Sequence, residues 1–264
     1  MAVFEDSFEN DLDGVWISLN AGTGFWGGWA PDINLPSRAT IRENPAMAYH
    51  GSKYCELRLE DHNDPPYDGE PPKYCLLISQ KENYLSSITD ALHVSWVMKL
   101  LQWSPTAYIK FFHLGTYTTQ AFSMSVVDGT SVQFTELYDN DIKYSKVVSL
   151  DTPLNFGEWY LLDIAAREAE DGSGFYKAWL NSIQILDEIN LNNIPSFWSE
   201  IDKSRYKYTF EIGMDYFGAY SNPEILEMHL DKIEVSNYIG APRYHGVITS
   251  TPVQGVPLVR RKIG

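Results

Sequence analysis

The chain has 264 residues, 44% of them hydrophobic and 14% aromatic, and its 35 acidic against 20 basic side chains leave a formal charge of -15. That length and apolar content can bury a large core and exclude disorder for the bulk of the chain. The acidic balance excludes nucleic acid and anionic membranes as partners, because counterion release needs basic contacts, and it favours neutral or cationic ligands.

The opening "MAVFEDSFEN" lacks a basic stretch followed by an apolar one, and no window approaches the length of a spanning helix. This predicts no secretory signal and no membrane insertion. Strands are predicted at about 2–8 and 15–19 from short apolar runs between turn residues. Next comes "GTGFWGGWAPD" (22–32), read as a loop whose glycines let the backbone bend while Trp26 and Trp29 project from it. Such a Trp pair either stacks on a sugar ring or folds back over the rim of the domain.

Strands follow at 37–42, 54–60 and 74–80, the last two holding Cys55 and Cys75. With no Cys-x-x-Cys spacing these read as small apolar strand residues, a bridge between them being left open. "SSITDAL" (86–92) offers at most a turn or two of helix. In the strand at 91–102, Leu92, Val94, Trp96, Met98 and Leu100 alternate against His93, Ser95, Val97 and Lys99. In the strand at 107–114, Ile109, Phe111 and His113 alternate against Lys110, Phe112 and Leu114. Both faces are mixed. That makes Trp96, Phe111 and His113 candidate ligand contacts, with His93 a second histidine placed to face a groove; a sheet buried on both sides would give the same pattern.

Further strands are predicted at 120–127, 131–137, 144–149, 158–167, 174–181, 183–188, 206–214 and 226–236, with turns at "VDGT" (127–130), "EDGSG" (170–174) and Asn181-Ser182, and a helical turn at "IPSFWSEI" (194–201). Around fifteen short strands without βαβ alternation predict an all-β, two-sheet antiparallel sandwich over residues 1–240. Residues 241–264 change character. They carry Arg243, Arg260, Arg261 and Lys262 and no acid, leaving -19 on residues 1–240, and read as an extended arm that docks on a neighbouring copy or as a short solubilising end. None of the six histidines shows metal-ligand spacing to another, and neither a nucleophile elbow nor a phosphate-binding glycine loop is present.

Three separated pieces resemble the concanavalin A-like jelly-roll superfamily, which includes laminin-G-like domains, legume-type lectins, laminarinases and several polysaccharide lyases. They are "VFEDSFENDLDGVW", "FGEWYLLDIAAREAEDGSGFYKAWLNSIQIL" and "FEIGMDYF...EMHLDKIEVSNY". The resemblance implies a sandwich with a glycan-binding concave face. It also implies a structural Ca²⁺ held by Asp231 and the carbonyl of Gly51, in "YHGSKYCELRL"; hard oxygen ligands suit that ion. The residues agree in one respect: Leu230, Ile233 and Val235 share the core face only if the ladder slips near Asp231.

Within that superfamily the retaining glucanases need carboxylates about 5–5.5 Å apart on one strand face. Glu211 and Asp215 in "FEIGMDYF" are spaced too widely. "YCELRLE" and "FFHLG" resemble strands of alginate-lyase-like enzymes, in which a His or Tyr abstracts a proton while cationic and amide groups neutralise the uronate. Thr209 and Glu211, however, stand where that family's motif has Tyr and Lys, and Glu211 would repel a uronate. The closing "VQGVPLVRRKIG" resembles a phrase of phage structural proteins. The combined reading is a non-enzymatic, lectin-like virion protein of a phage tail or head, released by host lysis, homo-oligomeric, and held to other virion proteins by its arm. A polysaccharide lyase and a ligand-free capsid decoration are the alternatives.

Overall fold

In a computed structural model of the chain, the structure describes residues 2–10, 26–29, 38–59, 74–79, 88, 90–102, 108–115, 121–127, 129–138, 141–195, 198–201, 203, 207–217 and 226–240. The described strands are β1 (Ala2–Asp6), β2 (Trp26–Trp29), β3 (Arg38–Glu43), β4 (Lys53–Leu59), β5 (Tyr74–Ser79), β6 (Leu92–Gln102), β7 (Tyr108–Leu114), β8 (Phe122–Val127), β9 (Ser131–Tyr138), β10 (Asp141–Ser149), β11 (Trp159–Arg167), β12 (Gly174–Leu180), β13 (Ile183–Leu191), β14 (Phe210–Phe217) and β15 (Leu226–Asn237). They form two antiparallel sheets. One has eight strands in the order β13-β12-β11-β6-β15-β4-β3, with β1 also paired to β15; the other has seven, in the order β10-β9-β8-β7-β14-β5-β2. The predicted two-sheet sandwich is therefore the observed architecture. The strand predicted at 15–19 lies outside the described residues, as does the arm at 241–264, and among the described residues helix is confined to 200, 201 and 203. No helix among the described residues is long and apolar enough to cross a membrane.

Alternation explains the layers. In β8 the residues Phe122, Met124 and Val126 point into the core while Ser123 and Ser125 face away, and β9 meets them with Phe134 opposite Met124 and Val132 opposite Val126. From the other sheet, β6 contributes Leu92, Val94, Trp96, Met98 and Leu100. Trp96 stacks on Phe112 at 5.5 Å between ring centroids, and Phe112 on Phe210 at 6.1 Å; Phe122 stacks on Tyr176 at 4.2 Å. The Trp96–Phe112 and Phe122–Tyr176 contacts tie the two sheets together through stacked rings. Cys55 is buried within this core.

The predicted hairpin at Asn181-Ser182 joins β12 to β13. Both residues have positive φ (48° and 67°), as a two-residue type I′ turn requires. Asn181 earns its place there: its Oδ1 accepts the Leu161 N–H at 2.9 Å, fastening the turn to β11. A second local feature departs from simple alternation. The register of β7 against β8 shifts between Lys110 and Phe112, and that of β14 against β7 shifts between Ile212 and Asp215. At this bulge Phe111 and Phe112 both enter the core, so Lys110 pairs with Ser125 and leaves the face of Phe112.

Because Trp96 is wholly buried at the inter-sheet stack, Trp96→Ala is expected to cost about 3–5 kcal/mol in equilibrium denaturation. A loss below about 1 kcal/mol would mean that the ring does not carry the core as described.

Candidate functional site

The outer face of the seven-stranded sheet carries a continuous polar row. Glu211 on β14 is opposite His113 on β7, His113 opposite Ser123 on β8, Ser123 opposite Thr135 on β9, and Thr135 opposite Ser145 on β10. Directly opposed side chains on neighbouring strands lie within contact range, so five polar residues follow one another across the sheet. The next row holds Lys110, Ser125 and Gln133. Lys110 arrives there only because of the β7 bulge. Gly213 sits in the matching β14 irregularity with a φ of 152°, a conformation that favours glycine.

Access to this face is graded. Glu211, His113 and Ser123 are buried, Thr135 is 7% exposed, Lys110 and Gln133 are half-buried, and Ser145 is exposed. At the open end Gln133 Nε2 donates to Ser145 Oγ at 2.6 Å. Inward from it, the hydroxyls of Ser123 and Ser125 are buried and find no hydrogen-bond partner among the described residues. A buried hydroxyl without a partner costs stability unless something else supplies one.

The residues singled out from the sequence fall in different places. His113 lies in the polar row. Trp96 does not: it belongs to the other sheet and fills the core, so it is no ligand contact. Phe111 is likewise a core residue, because the bulge turns it inward. His93 belongs to the outer face of the eight-stranded sheet, where its Nε2 lies 3.1 Å from Asp163 Oδ1 with both side chains fully buried. Trp26 and Trp29 are not in a loop. Trp26–Trp29 pairs with β5 as an edge strand, Trp26 opposite Ser79 and Trp29 opposite Leu76; their side chains lie outside the described residues. Sequence reasoning missed Ser123, Ser125 and Thr135. The strict alternation of "FSMSVV" carried the signal that its serines share a face.

At the far side, Asp231 and Gly51 come together with a residue the sequence did not single out, Glu9. The ladder of β15 against β6 slips between Asp231 and Glu234, and Lys232 takes a φ of 43°. That irregularity aims the Asp231 carboxylate at the 49–51 turn. Its Oδ2 accepts the N–H groups of Tyr49 (3.0 Å) and His50 (2.9 Å), and its Oδ1 accepts that of Lys232 (2.6 Å). Glu9 lies against Gly51: its Oε1 accepts the N–H groups of Ser52 (2.8 Å) and Lys53 (2.6 Å). A Cβ on Gly51 would stand 2.5 Å from that carboxylate, and the φ of 68° independently demands glycine. Burial pushes the Asp231 carboxyl up to about 7; the three N–H groups pull against this, and the Glu9 charge adds to the rise. For Glu9, burial acts upward too, but the Lys53 and Ser52 donors outweigh it and hold the carboxyl below its ordinary value. Every oxygen of the two carboxylates thus accepts an N–H or O–H donor, and the two charges are close enough for Glu9 to act on Asp231.

Glu56, Glu227 and His229 form another cluster with metal-ligand atoms within 4.8 Å of one another. Its surroundings speak against a cation. Arg42 donates through Nε (3.1 Å) and Nη2 (2.8 Å) to Glu56, Arg58 lies 3.5 Å from Glu227, and Lys99 follows His229 in the same cross-strand row. Burial, helped by Lys99 and Arg42, lowers the His229 pKa to about 3, so its ring is neutral. The cluster is an ion-paired network, Arg42 with Glu56 and Arg58 with Glu227. At one end of the sandwich, a polar depression of about 410 Å³ is lined by Asp90, Arg167, Glu168, Asp171, Lys207 and Tyr208 among others.

No protein-family model matches the chain, and no curated protein sequence matches it. Solved structures do. The endo-β-1,4-glucuronan lyase of the fungus Trichoderma reesei superposes with a TM-score of 0.57 at 12% identity, over 90% of this chain and 96% of that one. The marine alginate lyase of Aplysia kurodai gives 0.56 at 11% identity, over 90% and 100% of the two chains. Cip1, a cellulose-induced protein, gives 0.54 at 13% identity, over 89% and 97%. At such identities the likeness establishes the fold, a two-sheet β-sandwich, and function has to be argued from the site.

Gly51→Ala tests the node directly. It is expected to destabilise the protein by about 1–3 kcal/mol, since the backbone is strained and the Glu9 carboxylate must move. An unchanged thermal midpoint would show that Glu9 is not seated against Gly51.

Proposed function

We propose that the protein binds carbohydrate without turning it over, on the outer face of the seven-stranded sheet. The observation that carries this reading is the pair of buried Ser123 and Ser125 hydroxyls, without a partner among the described residues, behind the accessible Gln133–Ser145 end of the polar row. Each hydroxyl group of a sugar can donate to one serine and accept from another. The acidic surface suits a neutral or cationic glycan. Glu211 beside His113 supports binding over elimination, because a carboxylate there opposes an incoming uronate. The test is a binding isotherm against a panel of neutral oligosaccharides, with Gln133→Leu/Ser145→Ala as the variant. Affinity should fall about tenfold or more while the circular dichroism stays that of wild type; an unchanged affinity, or an empty panel, contradicts the proposal.

One observation supports a second reading, a polysaccharide lyase. The β7 bulge brings Lys110 to the face of His113, where an ammonium could neutralise a uronate carboxylate while His113 takes the C5 proton, the C4–O bond breaks as the C4–C5 double bond forms, and the departing oxygen is protonated by solvent. Such an enzyme generates an unsaturated product with new ultraviolet absorbance from a uronate polymer, and His113→Ala should abolish it.

We further propose that Glu9, Asp231 and the Gly51 carbonyl hold a calcium ion that fastens the 49–53 turn to β15. Millimolar Ca²⁺ should then raise the thermal midpoint of wild type and leave Glu9→Gln unmoved. An equal shift in both would place the ion elsewhere. The placement in a phage particle rests on the phrase "VQGVPLVRRKIG" alone. Sedimentation of the full chain with purified particles is the measurement that decides it, free protein at all concentrations being the contrary result.

A further inference from the structure

The row that holds Glu211 continues past β14. Opposite Glu211 on β5 stands Ile78, and opposite Ile78 on β2 stands Gly27. Two residues along, Gly213 is opposite Leu76 and Leu76 opposite Trp29. Neither of these pairings contains a register shift, so parity carries from β14 to β2 unbroken. Phe210, Ile212 and Met214 are the core residues of β14, which sets Glu211 and Gly213 at its outward positions. Gly27, Trp29, Leu76 and Ile78 are then at outward register positions too. Trp26 is not: it shares the parity of Gly28, which is opposite Leu77, itself opposite Ile212. The two tryptophans of "WGGW" thus hold positions on opposite faces of one strand.

Across this outer face the residue types divide. From β10 to β14 the row is polar, ending in His113 and Glu211, whereas the outward positions are Tyr74, Leu76 and Ile78 on β5 and Gly27 and Trp29 on β2. A pyranose ring has the matching two kinds of surface, a rim of hydroxyl groups and C–H faces, and an aromatic ring takes the second. The polar row provides for the rim alone. Where the hydroxyls of a sugar are equatorial, both of its faces are C–H and the ring can lie flat on an aromatic one. Gly27 and Gly213, the outward neighbours of Trp29 and Glu211 along their own strands, add no side chain beside them. Six gaps of about 4.8 Å separate β2 from β10, so the face measures about 29 Å across the strands. That is the length of several sugar rings.

We infer, resting on the carbohydrate reading of this face, that Trp29 and not Trp26 is the aromatic platform of the site. Its ligand is a neutral oligosaccharide of pyranose rings with equatorial hydroxyls, laid across the strands with one ring on Trp29 and others along the polar row. The platform anchors one end of the chain, and the serines and Gln133 take hydroxyls toward the other. Glu211 stands between platform and His113, so a uronate ring is repelled on this path while a neutral ring is not. A single sugar reaches only one of the two kinds of surface. Affinity therefore grows with chain length until both are engaged.

The experiment is calorimetric titration of the full chain with cellohexaose and with cellobiose, alongside Trp29→Leu, Trp29→Phe and Trp26→Phe, each checked by circular dichroism. Wild type should bind cellohexaose at least about tenfold more tightly than cellobiose, and Trp29→Leu should weaken the hexasaccharide about tenfold, while Trp29→Phe and Trp26→Phe stay within about threefold of wild type. Should Trp29→Leu fail to fold, indole emission decides: its change on adding cellohexaose should persist in Trp26→Phe and vanish in Trp29→Phe. Equal affinity of Trp29→Leu and wild type overturns the inference. So does an equal loss in Trp26→Phe, equal binding of the two sugars, or binding of other neutral oligosaccharides but not of cellohexaose; in each of these the carbohydrate reading stands if Gln133→Leu/Ser145→Ala still binds weakly. A wild type that binds no neutral oligosaccharide overturns both.

Discussion

The stacking of Trp96 on Phe112, and of Phe112 on Phe210, is the contact on which the rest of the molecule depends. It joins the centre of one sheet to the centre of the other, and so fixes which parity of every neighbouring strand is inside. Once Phe112 is held inward, Ile212 and Met124 must accompany it, because they are its partners in register. Glu211, His113 and Ser123, one residue along, are then committed to the outer face. The polar row is the geometric complement of the aromatic stack.

Two irregularities modify that rule, and both fall where chemistry is proposed. At β7 and β14 an extra residue moves Lys110 onto the same face as His113 and absorbs Phe111 into the core. At β15 a slip aims Asp231 at the turn that holds Gly51 and Glu9. Bulges are where a sheet can re-aim single side chains without losing its core. A regular sheet of this sequence would place Lys110 with Phe112 and would leave Asp231 without its three N–H donors.

Much of the fold was legible because its strands obey period two over runs long enough to count. "FSMSVV" and "ALHVSWVMKLL" specify their inner faces, and Asn181-Ser182 specifies its turn. The slip at Asp231 was legible for the same reason: Leu230, Ile233 and Val235 cannot share a face without it. Other features were not. Alternation tells which residues share a face but not which sheet a strand joins, so Trp96 and His113 looked like companions although they lie in different layers. "FWGGWAPD" reads as a loop because two glycines suggest bending, yet pairing with β5 supplies the bonds that make Trp26–Trp29 a strand. Glu9 gave no local sign, since its partner Gly51 is distant in sequence and the contact exists only after β4 has paired with β15.

The central claim is that ligand meets the outer face of the seven-stranded sheet. Backbone amide shifts recorded during titration with a bound oligosaccharide test it most directly. The account predicts perturbations concentrated at 110–113, 123–125 and 133–135, with the eight-stranded sheet silent. Perturbations confined to β11, β12 and β15, or spread evenly over both sheets, would contradict it.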